Sequence, residues 1–599
     1  MGLPDLAMRL WLDPDRMAGL KLTAKDIQVA VSQQNQQFGI GSLGQSPTTE
    51  PVEMTFPVVT AGRFSTEQEF DDIILRADSK GTAIVRLKDV GRAEQGLKAY
   101  MLSSSLNGKS ATFIAVYQQP GSNAVDVSNR LRALMEELKK GFPQGVDYTI
   151  SLDTTKFVQA SIDEVTETLI VVIILVVLVT YLFLQNINAT LIPTIAILVS
   201  IVGTFVGMLA LGCSINLLTL FGLVLAIGIV CDDAIVVVEN VERNLKEFSM
   251  TPMDATITAM KEVTGPVIAT TLVLMAVFVP VAFLGGTTGV LYQQFAITIA
   301  ISVAISSFIA LTLTPAMAAI LLKPRDEVSS GFFGWFNRMV ERMTTVYATG
   351  VRWVMKFGKT ALLFVIAMLV VLYLLFRIVP SSFVPSEDQG YLFAAVMLPD
   401  GASLDRTQAL TQKVADMFSE HPAVQDASAL AGFSFIDGQF KTNAGTVFIA
   451  LKDFNLRQTP ELSASAVLCQ LQPRLNRLKE GVVISINPPS IPGLGSQGGF
   501  EYWLQNLGAG NAADLAATTR KLIEEAKQRP EITRLTSTIN AASRQLMTYV
   551  DRVKAETLGV AVSDVYASLQ TLFGSLYVSQ YNKFGRVWQV ILQASPEYH

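Results

Sequence analysis

The sequence predicts a membrane α-helical bundle joined to α+β domains that lie outside the bilayer. Half of the 599 residues are hydrophobic, 16% are charged and the mean hydropathy is +0.40, values typical of a membrane protein. Mostly apolar segments recur along the chain, and each is long enough to cross a bilayer as a helix. We predict spans at about 162–184, 189–212, 215–238, 263–286, 295–322 and 360–379.

Lysine and arginine are unevenly distributed among the loops between these spans. The connection after the third span carries Arg243, Lys246 and Lys261, and the connection after the fifth is richer still in both residue types. The turns at 212–214 and 285–294 contain neither. Cytoplasmic loops of membrane proteins carry the excess of positive charge. We therefore expect the charged loops to be cytoplasmic and both soluble flanks to lie on the outer side.

Residues 331–346 form an amphipathic stretch between the fifth and sixth spans. Aromatic side chains occupy one side of this stretch, and Arg338 and Arg342 lie on the other. The pattern predicts a helix in the cytoplasmic membrane interface, with a plain connector helix as the alternative.

The flanks show strand and helix patterns typical of α/β modules. Repeated βαβ units with alternating strands favour small, ferredoxin-like split-βαβ domains. Strands are predicted at 111–118, 146–152, 391–398, 423–431, 445–454, 482–487, 500–507 and 531–539, and helices at about 124–140, 403–420, 462–478 and 511–528.

Two distant segments of the flanks resemble each other. The segment that starts at Met8 and the one that starts at Leu546 share their register: Asp13 and Asp26 are spaced as are Asp551 and Asp564. Chance similarity between two strand–helix units is the alternative to an internal duplication. A duplicated outer domain predicts two halves, each with membrane helices and an outer insert.

Adjacent aspartates, Asp232 and Asp233, interrupt the apolar run of the third span. A carboxylate in hydrocarbon costs about 2.5–3.5 kcal/mol at the centre of a helix, so an intramembrane pair indicates an ion or proton site. We expect the pair to be buried and to titrate as a coupled unit. A buried salt bridge without proton traffic is the alternative. Small residues at Gly222, Ala226 and Gly228 permit the close approach of a neighbouring helix.

Other function classes lack the residues they need. A net charge of −5 argues against a nucleic-acid partner. Widely separated cysteines and only His421 and His599 predict no metal or cofactor site and no catalytic triad, hence no enzyme. The glycine pattern at 493–498 follows prolines and precedes a predicted strand, so we expect a mobile loop rather than a dinucleotide site. The Gly-Lys-Ser at 108–110 lacks the first glycine of a P-loop.

The segment GIVCDDAIVVVENVER (228–243) closely resembles the signature of RND inner-membrane pumps of the hydrophobe/amphiphile efflux family. The segments at 157–196, 214–228, 277–300 and 574–586 resemble the same family in the same order. The resemblance implies proton-driven export of amphiphilic small molecules by an inner-membrane protein of Gram-negative bacteria. It also implies that this chain is an internal fragment, with Lys, Arg and Thr partners of the aspartate pair on helices outside it.

The resemblance implies a division of the chain into family subdomains. These are a docking subdomain (1–100), part of a porter subdomain (101–156), five transmembrane spans (157–325), a cytoplasmic interfacial helix (326–358), a sixth span (359–380), C-terminal porter subdomains (381–535) and part of a second docking subdomain (536–599).

The resemblance also assigns substrate-binding residues in the outer domains. Phe433 and Phe435 correspond to a switch loop between two pockets, Phe448 to a deep-pocket position, and Phe500 and Tyr502 to an entrance cleft. Aromatic rings on loops give broad, weakly directional contacts suited to varied amphiphiles. Ordinary core packing of these rings is the alternative.

The resemblance implies an assembly as well. The excursion at 34–62 corresponds to a hairpin arm that reaches a neighbouring protomer, so we expect a homotrimer, with a mobile surface loop as the alternative. A periplasmic membrane-fusion adaptor and an outer-membrane channel would complete the pump. Competing interpretations are a heavy-metal exporter, disfavoured by the intact aspartate pair, and a membrane scaffold or sensor that does not pump.

Overall fold

The computed structural model describes residues 5–60, 62–78, 83–119, 121–323, 331–379, 387–489, 502–508, 510–532 and 545–598, with residues 535, 537, 539 and 541. The chain divides into two compact units. The first comprises Met1–Ser122, Pro143–Leu152 and Ser386–His599, and the second comprises Asn123–Phe142 and Asp153–Pro385. The first unit has α+β structure, and the second is α-helical.

The strands of the described residues all belong to the first unit. They are β1 (Leu6–Leu12), β2 (Ser42–Leu43), β3 (Phe56–Pro57), β4 (Ile74–Ala77), β5 (Ile84–Arg86), β6 (Gly91–Leu97), β7 (Ser103–Leu106), β8 (Lys109–Ser110), β9 (Tyr391–Met397), β10 (Val424–Ser434), β11 (Gln439–Leu451), β12 (Val482–Ile486), β13 (Leu576–Lys583) and β14 (Arg586–Ala594).

The helices occur in both units. They are α1 (Pro14–Gly19), α2 (Ala24–Gln34), α3 (Glu67–Asp71), α4 (Leu87–Val90), α5 (Ala124–Lys139), α6 (Thr155–Leu184), α7 (Ile187–Ala210), α8 (Leu217–Glu247), α9 (Pro252–Val281), α10 (Gly286–Leu311), α11 (Leu313–Leu321), α12 (Gly331–Lys356), α13 (Gly358–Ile378), α14 (Leu404–Ser419), α15 (Ala464–Leu475), α16 (Ala512–Ala526), α17 (Arg552–Thr557) and α18 (Val562–Phe573).

Strands from both ends of the chain form a four-stranded sheet in the order β13-β14-β1-β6. Strand β1 pairs in parallel with β14 and antiparallel with β6. Residues from both ends share one apolar core around the fully buried Phe70 and Tyr581, whose rings meet edge to face at 6.4 Å.

The two similar segments adopt matching helix pairs. Asp13 and Asp551 cap the N-termini of α1 and α17, and each side chain accepts hydrogen bonds from backbone N–H groups of the first turn. Asp26 and Asp564 occupy the same position in the first turns of α2 and α18. The strand that precedes the first pair, β1, has no counterpart at 546–550, where no strand forms.

A six-stranded sheet in the order β12-β9-β11-β10-β7-β8 forms the other part of the first unit. Its central elements follow the chain order β9, α14, β10, β11, α15, β12. Alternate residues of the strands, such as Leu392, Val447 and Val483, join residues of α14 and α15 in one buried core. This side-chain alternation is the period-two pattern on which the strand predictions depend.

The predictions of strands at 111–118 and 146–152 are wrong. Neither segment is a strand, although Phe113 and Leu152 pack against the sheet. A strand needs a backbone partner as well as alternating side chains, and β7 already pairs with the outer edge of β10. Residues 502–507 and the described positions between 531 and 539 are not strand either. The glycine pattern at 493–498 lies outside the described residues.

In the described residues of the second unit, six helical spans are long and apolar enough to cross a membrane. They correspond to the predicted spans, but several helices continue past the apolar run. Helix α8 continues to Glu247, because the polar residues after its apolar run are still helical. Helix α9 begins earlier than predicted, at Pro252, because the Thr251 side chain caps it by accepting from the Asp254 N–H. The fifth span is interrupted at Thr312, where α10 ends and α11 begins.

Helix α12 covers the amphipathic stretch and is longer than predicted, ending at Lys356. It packs on the end of α6 through aromatic pairs: Phe333 meets Tyr181 at 6.1 Å, and Phe336 meets Phe183 at 5.3 Å.

In the first unit, the Gly-Lys-Ser at 108–110 lies in the tight β7–β8 hairpin, whose turn residues Asn107 and Gly108 have φ values of 49° and 77°.

The excursion after α2 contains a small hairpin in which Ser42–Leu43 pairs with Phe56–Pro57. Its apolar side chains are exposed: Leu43 is 71% exposed and Met54 is 66% exposed. Exposed apolar residues on an extended hairpin are typical of an intermolecular contact surface.

Candidate functional site

Helix α8 carries the aspartate pair. It begins at a capping box in which the Asn216 side chain accepts from the Thr219 N–H at 3.0 Å. Cys231 packs with Ile197 of α7 in one apolar cluster, and Ala234 packs with Ile309 of α10 in another. Neighbouring helices therefore cover part of the circumference of α8, and half of its apolar window is buried.

Asp232 and Asp233 lie on the side of α8 that these clusters leave open. Asp232 is exposed and Asp233 is half-buried, whereas their neighbours Cys231 and Ala234 are buried. The expectation that both carboxylates are buried is therefore wrong for this chain. Consecutive residues of an α-helix lie about 100° apart around its axis. Because Cys231 and Ala234 point inward, Asp232 points outward. Neither carboxylate has a hydrogen-bond or ion-pair partner among the described residues.

Asp232 belongs to an exposed stripe that runs the length of α8. Its members recur every three or four residues: Phe221, Leu225, Gly228, Asp232, Val236 and Glu239. Gly228 has no atom within 4 Å of the position a Cβ would take. Gly222, on the opposite side, has the Phe295 carbonyl oxygen of α10 at 3.2 Å from that position. The predicted close approach is thus present at Gly222, and at Gly228 it is not.

Several phenylalanines of the first unit form an aromatic cluster on the face of the six-stranded sheet opposite α14 and α15. Phe433 and Phe448 are buried members, and Phe435 is a partly buried neighbour. Phe448 and Phe393 are paired residues of β11 and β9, and their rings meet edge to face at 5.5 Å. Phe435 stacks on Phe393 with ring centroids 4.4 Å apart. Phe113 stacks on Phe448 at 5.2 Å.

Phe433 lies near the end of β10, and Phe435 lies in the turn that follows. Thr446 of β11 fixes this end of the strand. The Thr446 hydroxyl donates to the Phe433 carbonyl oxygen at 2.9 Å and accepts from the Phe435 N–H at 3.1 Å. Beyond it, Asp437 forms an ion pair with Lys441. Burial opposes ionisation of Asp437, but the hydrogen bond and charge of Lys441 outweigh it, and the pKa of Asp437 lies below its usual value.

Gly432 allows this chain path. Its φ is +91°, and a Cβ there would lie 1.9 Å from the Met101 carbonyl oxygen, so no other residue fits without a backbone shift. The strand register shifts at this point, between Ala431 and Phe433. Strand β10 nevertheless continues to Ser434, three residues beyond the predicted end at 431.

The model of the AcrB/AcrD/AcrF family matches residues 1–599. The chain belongs to this family. The similar proteins include the multidrug export protein AcrF of Escherichia coli strain K12, which is 40% identical over 99% of this chain and 58% of AcrF. The toluene efflux pump membrane transporter TtgE of Pseudomonas putida is 36% identical over 98% of this chain and 56% of TtgE.

A further relative is the multidrug resistance protein MdtF of Escherichia coli O157:H7, 36% identical over 98% of this chain and 57% of MdtF. The chain spans somewhat more than half the length of the curated relatives it matches. The family assignment confirms the resemblance to RND pumps that the sequence motifs indicate. The names of AcrF and TtgE describe export and efflux, the name of MdtF describes multidrug resistance, and none of the three names an enzymatic activity.

The structure of this family member brings together only part of the predicted substrate set. Phe433, Phe435 and Phe448 lie in or against one cluster, whereas Tyr502 is 49% exposed and is not a member of it. Phe500 lies outside the described residues.

Sequence reasoning missed three aromatic residues of the cluster, Phe113, Tyr391 and Phe393. The strand β9 that carries Phe393 is buried on both faces, so alternation could not tell which residues share the face of Phe448. Phe113 lies far from Phe448 in the sequence, and only the sheet topology brings them together.

Proposed function

We propose that this chain is part of a proton-driven exporter of amphiphilic and hydrophobic small molecules, including drugs, in the inner membrane of a Gram-negative bacterium. The observation that carries the proposal is the adjacent pair Asp232–Asp233 on the apolar helix α8, with Asp232 on the exposed stripe and Asp233 half-buried beside it. Family membership and the export activities named for the relatives support it.

The aspartate pair would take up and release protons on the stripe of α8. Two carboxylates on consecutive residues repel each other when both are charged, so their protonation is coupled and sensitive to any cation that approaches. The resemblance implies that helices outside this chain bring Lys, Arg and Thr side chains close to the pair. The Lys and Arg side chains would be the approaching cations. Small side chains on the stripe, such as Gly228, would let those helices come close.

The proton role is tested in the intact protein by Asp232→Asn and Asp233→Asn. Each variant keeps the side-chain shape and cannot carry the charge, so we expect export of a fluorescent amphiphile to fall to the level of cells without the pump. Glu239→Gln, on the same exposed stripe, is the matched control and should keep export. The proton role is refuted if both asparagine variants export at the wild-type rate while folding and assembly are unchanged.

We further propose that the aromatic cluster contacts the exported molecule. Phe433, Phe435 and Phe448 would supply ring faces, with Phe500 and Tyr502 at an entrance. Phe435 supports this role because it is only partly buried and is the first residue of the hairpin turn at 435–438, so a modest movement of the turn would free its ring.

This role is tested by comparing Phe435→Leu with Phe418→Leu. Phe418 is fully buried on α14, in the core on the other face of the sheet, and serves as a control for lost core packing. We expect Phe435→Leu to change the ranking of exported amphiphiles at an unchanged protein level. Phe418→Leu should lower export of all of them together. The same ranking in both variants would contradict the contact role.

We propose that the whole protein is a homotrimer that works with a periplasmic adaptor and an outer-membrane channel. The exposed apolar hairpin around Leu43 and Phe56 would reach the neighbouring protomer. In this assignment the β9–β12 module is a ferredoxin-like porter subdomain, and the two capped helix pairs belong to docking subdomains. Cross-linking between cysteines placed in the hairpin and on candidate facing surfaces tests the trimer.

A further inference from the structure

We propose that helix α12 binds anionic phospholipids through a row of cationic side chains, on the side of the bilayer that the loop charges mark as cytoplasmic. Helix α12 runs from Gly331 to Lys356 and connects the fifth membrane span to the sixth. The amphipathic pattern indicates an interfacial helix but not the headgroup that it prefers. Lipid selection by α12 requires the membrane spans, and it is independent of proton transfer at the aspartate pair.

Both ends of α12 lie at the boundary of the bilayer. At its start, Phe333 and Phe336 pack on Tyr181 and Phe183, which belong to the last turn of the apolar helix α6. At its other end, only Phe357 separates α12 from the apolar helix α13. The 26 residues of α12, at 1.5 Å each, give a length of about 39 Å. A helix of this length with both ends at the boundary lies along the membrane surface.

Cationic residues follow one side of α12. At about 100° per residue, Arg338, Arg342 and Lys356 fall within about 40° of one another around the helix axis. All three are exposed, and none has an ion-pair partner among the described residues. The one acidic residue of α12, Glu341, lies about 60–100° away from them around the axis. The row of cations is therefore free to bind an anion from outside the chain.

An exposed apolar sector adjoins this row. Trp335 and Trp353 lie nearest to the cations around the axis and are 55% and 62% exposed. Beyond them the sector continues through Met339, Met343, Val346, Tyr347 and Val354, all exposed. The part of α12 that packs on α6 does not cover this sector, because the contacts with α6 are made by Phe333 and Phe336.

The order of residues around α12 matches the order of chemical groups across a membrane surface. An interfacial helix buries its apolar face about 5–10 Å deep, where acyl chains begin. Indole rings such as those of Trp335 and Trp353 favour the headgroup level. The stems of Arg338, Arg342 and Lys356 extend from there and place their charged ends among the phosphates. The exposed apolar sector and the cations are thus satisfied together by one lipid layer.

The charge of the row favours an anionic headgroup over a zwitterionic one. A phosphatidylcholine headgroup compensates its phosphate with its own quaternary ammonium group, whereas the phosphate of phosphatidylglycerol has no such partner. Arg338 and Arg342 are four residues apart, about 6 Å along the axis, so their planar guanidinium groups can bind neighbouring phosphates by paired hydrogen bonds.

The intact protein in phosphatidylcholine nanodiscs tests this proposal. Trace phosphatidylglycerol and phosphatidylcholine analogues carry the same photoreactive group near the glycerol, and the ratio of their labelling of 331–356 measures the preference. We expect wild type to favour phosphatidylglycerol more than tenfold. Arg338→Gln and Arg342→Gln should each lower the ratio about fivefold, the effect of one cation near an anionic surface. Lys261→Gln, which removes an exposed cation of α9 on the same side of the bilayer, is the matched control and should leave the ratio unchanged.

A further variant, Glu341→Lys, adds positive charge beside the row and should raise the ratio, so the proposal is tested even if the glutamine variants fold poorly. A wild-type ratio near one, or a ratio that no substitution on α12 changes, would overturn the proposal. An equal fall with Lys261→Gln would also overturn it, because the preference would then belong to the whole cytoplasmic side. So would cross-links from α12 to another polypeptide in place of lipid, which would assign the cations to an acidic protein surface.

Discussion

Arg457 and Asp388 form a bidentate ion pair that connects the start of β9 to the start of α15. The Arg457 Nη2 donates to Asp388 Oδ1 at 2.8 Å, and Nη1 donates to Oδ2. The same carboxylate accepts from the backbone N–H groups of Gly390 at 2.9 Å and Ala464 at 2.7 Å. The guanidinium is buried and lies 4.5 Å from the centre of the Phe454 ring. One carboxylate therefore holds three segments of the first unit together.

We predict that Asp388→Asn lowers the free energy of unfolding by about 2–3 kcal/mol. Breaking a fully buried ion pair costs about 3–5 kcal/mol, and the 27% exposure of Asp388 reduces that figure. The control is Glu420→Gln, which removes an exposed ion pair with Arg474 from the same unit and should cost less than about 1 kcal/mol. Thermal unfolding of the intact protein measures both. Equal melting temperatures would contradict a structural role for the pair.

The pKa of Asp388 makes this stabilisation dependent on pH. Burial alone would raise the pKa, but the hydrogen bonds from Arg457, Ala464 and Gly390 outweigh burial and lower it. An Asp with a depressed folded pKa stabilises the fold fully above its unfolded pKa of about 3.9, and this contribution is lost as pH falls through the folded pKa. The melting temperature of the wild type should therefore fall more steeply below about pH 4 than that of Asp388→Asn. Parallel pH profiles would show that the pair contributes nothing.

We predict that Thr446→Val loosens the end of β10 and the turn that follows it, which carry Phe433 and Phe435. Valine has the shape of threonine but cannot donate to the Phe433 carbonyl or accept from the Phe435 N–H, a loss of about 1–3 kcal/mol at this buried site. Hydrogen exchange of the amides at 433–438 should become faster. Thr442→Val, at an exposed position of the same strand, should leave those rates unchanged. Unchanged exchange in both variants would mean that Thr446 does not fix the loop.

Apolar runs, which are local features of the sequence, predicted the six membrane-spanning helices of the second unit. Asp232 and Asp233 stand out because they interrupt an apolar run, and the run itself locates α8. The predicted span ends at 238, whereas α8 ends at Glu247. Hydropathy locates the apolar segment of a helix, and it does not show where the polar part of the same helix ends. The exposure of Asp232 depends on which neighbours pack on α8, and that is a property of the tertiary structure.

The aromatic cluster shows where sequence reasoning stops. Resemblance to the family singled out Phe433, Phe435 and Phe448, and these residues do lie together. The other aromatic residues of the cluster, Phe113, Tyr391 and Phe393, carry no local signal, because strand order and register decide their contacts. The same dependence explains why alternating residues at 111–118 do not form a strand.

We predict that Gly432→Ala is much more damaging than Gly438→Ala. Both glycines have positive φ, +91° and +66°, so each alanine pays a conformational cost of about 1–2 kcal/mol. Only at Gly432 would the added Cβ also collide with the Met101 carbonyl oxygen, whereas nothing lies within 4 Å at Gly438. We expect Gly432→Ala to cost more than about 3 kcal/mol in thermal unfolding of the intact protein. Equal effects of the two substitutions would exclude the predicted collision.

We predict that Gly207→Leu disrupts the packing of α7 on α10. Gly203 and Gly207 are four residues apart on α7, the spacing that lets membrane helices approach closely, and a Cβ at Gly207 would lie 2.5 Å from Ile301 Cγ2. Overpacking of this kind costs about 1–3 kcal/mol and should lower the fraction of intact protein that stays monodisperse on heating in detergent. The control is Gly265→Leu on α9, where nothing lies within 4 Å of the added Cβ and the side chain enters open space. If Gly207→Leu is as stable as Gly265→Leu, the approach of α7 to α10 cannot be as close as the glycine spacing requires.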